Sequence, residues 1–104
     1  MSTFDDRQKG YENKFAHDEE LSFKVRAKRN KMLGAWVAAR AGIEGDEAES
    51  YAKSIVEFAV DGIADKGLKE RLLEDLREKG VAATENEVNI EFERLSFVAI
   101  EAFK

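Results

Sequence analysis

Apolar residues along this chain recur at spacings of three and four, the period of an α-helix that buries one face. Between residues 46 and 63, Ala48, Tyr51, Ala52, Ile55, Val56, Ala59 and Ile63 form one wide stripe. Leu68, Leu72, Leu73 and Leu76 form a second. Val88, Phe92, Leu95 and Ala99 form a third, and Ile90, Phe97, Ile100 and Phe103 widen it towards an adjacent face, as suits a helix contacted on more than one side. Nearer the start, Leu21, Val25, Met32 and Trp36 fall at spacings of four and seven, flanked by Leu33 and Val37. These patterns predict helices over 20–41, 46–61, 67–79 and 84–103.

Local signals mark where the helices stop and start. Gly42-Ile43-Glu44-Gly45 closes the first, and Asp46 with Glu49 resembles a capping pair that opens the second, which ends near Asp61-Gly62. Gly80 suits the left-handed position after the third helix, with Leu76 placed to touch Val81. Thr84 is the expected N-cap of the fourth, with Glu87 reaching back to complete a capping box and Ala83 and Val88 as a weak staple.

The first residues behave differently. Phe4, Tyr11 and Phe15 make a separate aromatic stripe, which extends at helical pitch to Glu19 and Ser22, beside Leu21 and Val25 but not on them. It is therefore expected to be offset from the Met32–Trp36 line. Ordering the backbone costs about 1–2 kcal/mol per residue, and three aromatic side chains at about 2–3 kcal/mol each do not offset this over so long a segment. Gly10 weakens a helix there by about 1 kcal/mol more. The fold class read from the pattern is all-α, a four-helix bundle over residues 20–104 preceded by a mobile or frayed helical arm over residues 1–19, which folds on a partner.

Composition narrows the function. With 104 residues the chain has room for one core but not also for a deep substrate cleft. It contains no proline, the commonest helix breaker, and no cysteine, so neither a disulfide framework nor a thiolate metal site can form. Its start lacks the pattern of a signal peptide and no run approaches transmembrane length, which gives the expectation of a cytoplasmic protein without direct membrane insertion. The net charge of −5 is uneven. Residues 1–40 hold nine Lys/Arg against six Asp/Glu, and residues 41–104 hold eight against sixteen, so the second half would repel nucleic acid and anionic lipid.

Little in the chain can carry chemistry. His17 is the single histidine, the carboxylate pairs Asp5-Asp6 and Glu19-Glu20 lie in exposed charged runs, and no glycine-rich phosphate loop occurs. The expectation is no enzyme, no metal and no cofactor. Lys24, Arg26, Lys28, Arg29 and Lys31 spread around a helix and read as a solvated face, the alternative being a nucleic-acid or nucleotide-binding module using residues 24–31. Trp36 with Met32 reads as a core anchor. His17 reads as an exposed histidine, the alternative being a switch that changes the arm's charge near physiological pH.

The runs Phe4-Asp5-Asp6-Arg7, Glu12-Asn13-Lys14-Phe15-Ala16-His17-Asp18-Glu19-Glu20-Leu21, Phe23-Lys24, Arg29-Asn30-Lys31, and Leu33-Gly34 with Trp36 resemble the ATPase-inhibitor zeta subunit of alphaproteobacterial F-type ATP synthases. The resemblance is specific from Phe4 to Trp36. It implies a four-helix bundle with a mobile inhibitory arm, which inserts as a helix into a catalytic α/β interface and blocks ATP hydrolysis. The implied partners are the α and β subunits, with the central stalk as a further candidate. The implied location is the ATP synthase head at the inner face of the plasma membrane, with the bundle monomeric. Carried over by position, Phe4, Asp5, Asp6, Arg7, Glu12, Lys14, Phe15 and His17 are the expected contacts, and the aromatic stripe adds Tyr11. In that reading Phe4, Tyr11 and Phe15 are apolar anchors, and Arg7 and Lys14 pair with carboxylates of the partner. Asp5 and Asp6 favour the start of a helix that Thr3 can cap.

Overall fold

A computed structural model describes residues 19–60 and 63–104. The described residues form four helices and no strand: α1, Glu19–Arg40; α2, Gly45–Val60; α3, Asp65–Glu78; and α4, Glu85–Ala102. The all-α bundle expected from the apolar periodicity is what they build. The expected end of α2 at Asp61-Gly62 and the segment before Glu19 lie outside the described residues.

Helix ends follow their local chemistry. After α1, Gly42 takes φ 74°, Ile43 N–H donates to the Ala38 carbonyl at 2.8 Å and Gly42 N–H to that of Ala39 at 3.2 Å. Gly80 repeats the motif after α3, with φ 82°, Val81 N–H to the Leu76 carbonyl at 2.9 Å and Gly80 N–H to that of Arg77 at 3.1 Å. In both, the left-handed residue lets the chain turn back and satisfy carbonyls that the helix leaves open. Thr84 caps α4, its hydroxyl accepting from Glu87 N–H at 3.2 Å.

Three details of the helix starts differ from the sequence expectation. The Glu87 carboxylate is turned to Arg40 of α1, 3.0 Å away, so it ties two helices together instead of closing the capping box. Asp46 lies inside the first turn of α2, where its charge complements the helix dipole, because the helix already begins at Gly45. α3 begins at Asp65, two residues before Gly67, with Ala64 as its N-cap and no side-chain cap bond.

α1 is the common wall of the bundle: it packs against α2, α4 and α3. Its innermost residues are Leu33 and Val37, both 0% exposed, which meet Ile55, Leu72, Leu76, Val88 and Phe92 from the other three helices. Met32 and Trp36 are only partly buried and pack against the edge of this core. The flanking pair is therefore the true centre of the stripe, and the Arg40 guanidinium lies 5.7 Å from the Trp36 ring on the outer side.

α1 and α2 come close at Gly34, where an added Cβ would sit 2.6 Å from Cα and 3.2 Å from Cβ of Ala52 in α2. The first contact is with backbone, so only separation of the helices could relieve it. Gly34→Ala gains about 1 kcal/mol of helix propensity, yet overpacking of this kind costs about 1–3 kcal/mol. A lower urea midpoint than wild type is expected, and an unchanged or higher one would show that the two backbones are free to part.

Candidate partner-binding surface and the polar clusters behind it

None of the nine residues expected to contact a partner, Phe4, Asp5, Asp6, Arg7, Tyr11, Glu12, Lys14, Phe15 and His17, lies among the described residues. What the described residues define is the platform on which that segment stands. Glu19, the first residue of α1, is exposed, and Lys24 pairs with Glu20 one turn earlier at 3.3 Å. With both side chains largely in water, this pair contributes little to stability.

The basic run does not form one surface. Lys28 and Lys31 are exposed and border a shallow groove with Lys53 and Phe103, while Arg29 points the opposite way, into the protein. Arg29 is only 8% exposed, which corrects its reading as part of a solvated face. It sits four residues before Leu33 on the buried line, and its partners explain how a charge can be there. Its Nε donates to Asn30 Oδ1 at 3.0 Å, its Nη2 lies 3.4 Å from Asp65 Oδ1, and its guanidinium stacks 4.3 Å from the centroid of the Phe92 ring. Lys69 approaches the same ring at 4.7 Å, so Phe92 is held between two cations. Burial pushes the Arg29 guanidinium below its ordinary range; Asp65 offsets part of this, and Arg26 acts with burial.

A second polar cluster joins α2 to α3. The buried carboxylate of Asp75 accepts from Tyr51 Oη at 2.6 Å and from Arg71 Nε at 2.9 Å, both on Oδ2. Arg71 also lies 4.9 Å from the Phe58 ring and Lys79 5.2 Å from the Tyr51 ring. Tyr51 was legible as part of the α2 stripe, but the carboxylate it reaches was not. Burial first, and then the bond to Asp75, raise the phenol well above its ordinary range, while Arg71 acts the other way.

Both clusters are held by partners within the protein, and the Arg29 cluster also lines a concavity where α1, α2 and α3 meet. Among the described residues no group of three or more His, Cys, Asp or Glu could hold a metal ion, and no helix is long and apolar enough to cross a membrane.

Two expected outcomes test these clusters. Arg29→Ala removes a buried donor from Asn30 and a cation from Phe92, and should lower stability by about 2–3 kcal/mol in chemical denaturation. The raised Tyr51 pKa means that the fold favours the neutral phenol. Its contribution is therefore complete below the unfolded value of about 10 and declines as pH rises above it. In a Tyr11→Phe protein, absorbance titration should find no phenolate at pH 10.5 while circular dichroism still reports helix; an ordinary phenol curve there would contradict the Tyr51–Asp75 contact.

Comparison with known proteins is consistent with this architecture. The model of the family described as ATPase inhibitor subunit zeta matches residues 1–102. A structure solved by solution NMR is 37% identical, with a TM-score of 0.66, and the match covers 76% of this chain and 89% of that one. No curated protein matches the chain.

Proposed function

This chain belongs to the ATPase inhibitor subunit zeta family, and we propose that it restrains ATP hydrolysis by an F-type ATP synthase through its N-terminal arm. In this reading residues 1–19 enter a catalytic interface between α and β subunits as a helix and oppose rotation of the central stalk, while the bundle stays outside. The protein acts as a regulator without catalytic chemistry of its own, at the ATP synthase head on the cytoplasmic side of the plasma membrane.

The observation that carries the reading is the family match, which spans the arm as well as the bundle. Phe4, Tyr11 and Phe15 form an aromatic stripe in the sequence of the arm. Helix-in-groove recognition requires such a stripe, with Arg7 and Lys14 supplying charge on one side. Arg29 belongs to the core, and Lys24 pairs with Glu20, so the nucleic-acid or nucleotide alternative loses the continuous basic surface it needs.

ATP hydrolysis by the cognate ATPase is the test. The full chain should inhibit and a chain lacking residues 1–19 should not; equal rates would reject the arm as the inhibitor. Phe15→Ala should raise the half-inhibitory concentration by about tenfold or more, as truncation of an interface anchor does, while leaving the unfolding midpoint unchanged. Inhibition by wild type and His17→Gln should change in parallel between pH 6 and pH 8 if that histidine is simply exposed, and curves that diverge would make it a switch.

A further inference from the structure

A cavity of about 320 Å³ lies where α1, the end of α2 and the start of α3 meet. Three large apolar side chains on its rim are turned to solvent: Phe23 is 53% exposed, Val60 57% and Ile63 39%. Lining one concavity together makes them a patch, unlike the isolated apolar residues that any surface carries. Arg26, Arg29 and Asp65 form the polar part of the lining.

The charge there is unbalanced. Two guanidinium groups face one carboxylate, and that carboxylate, 3.4 Å from Arg29, is itself 62% exposed. Arg26 has no ion pair among the described residues. A further carboxylate arriving from outside would meet two cations in a partly desolvated setting, where such pairing is stronger than at an open surface.

Position decides what arrives. Phe23 stands four residues after Glu19, about 6 Å along a helix axis, and residues 1–18 join the bundle at Glu19. A protein that grips those residues is brought against this end of the bundle.

We propose that this cavity is a second contact with the same ATPase that takes the arm, receiving from it an apolar side chain between Phe23, Val60 and Ile63 and a carboxylate against Arg26 and Arg29. The inference rests on the arm reading above. Because the two contacts are joined by a short stretch of chain, even a weak second one multiplies the affinity of the first.

The experiment uses the full chain and its cognate ATPase. A photo-crosslinking benzoylphenylalanine in place of Phe23 should become attached to an ATPase subunit, while the same group in place of Ile90, which is 58% exposed on α4, should not. Arg26→Glu, at an exposed position, should raise the half-inhibitory concentration by about tenfold with an unchanged unfolding midpoint, and Phe23→Ser with Ile63→Ser should do the same. Crosslinks formed only to the chain's own residues 1–18, crosslinks of equal yield from both positions, or undiminished inhibition by Arg26→Glu would overturn the second contact. The arm reading is judged apart from it, by deletion of residues 1–19.

Discussion

The approach of α1 to α2 at Gly34 and Ala52 sets the geometry that the other contacts use. α1 touches all three other helices, and at Gly34 it lets α2 come close. With hydrogen in place of a methyl group at Gly34, the backbones meet, and Leu33 and Val37 are turned towards α3 and α4. The helix-weakening cost of that glycine, about 1 kcal/mol, is outweighed by the burial it permits. The ties formed at a distance, Arg29 with Phe92 and Arg40 with Glu87, both leave α1 from the register that this contact establishes.

Much of the fold was legible in the sequence because its signals are local. A glycine after a periodic run, or a threonine before one, acts through hydrogen bonds within five residues, and Gly42, Gly80 and Thr84 each form the end they suggest. Reading failed where the answer lay on another helix. By sequence Glu87 belongs to its own cap, because Arg40 is far away in the chain, and Arg29 belongs to solvent, because only Phe92 and Asp65 make its burial tolerable. The hydrophobic stripe of α1 was centred on Met32 and Trp36 for a related reason. Large apolar residues dominate a sequence pattern, whereas Leu33 and Val37 dominate the packing.

The candidate site divides in the same way. Its chemistry, aromatics interspersed with both signs of charge, could be read directly, and so could the family through its run of matched residues. The cavity beside Phe23 could not, because it joins α1 to residues near Val60 and Ile63 that no periodicity connects with it. Arg26 is exposed, as the basic run suggests, whereas Arg29, one turn on, is turned inward.

Both tight turns, at Gly42 and at Gly80, send the chain back along the helix it has just left, so four helices stand side by side behind the single strand of chain that enters at Glu19. In the docking proposed above, the arm is a pin and the bundle its head. A groove wide enough for one helix, about 10–12 Å across with its side chains, would admit the pin and stop the head, so the depth of insertion would be set by where α1 gains its neighbours. Lengthening or shortening the chain just before Glu19 would then move every anchor relative to its pocket by about 1.5 Å per helical residue.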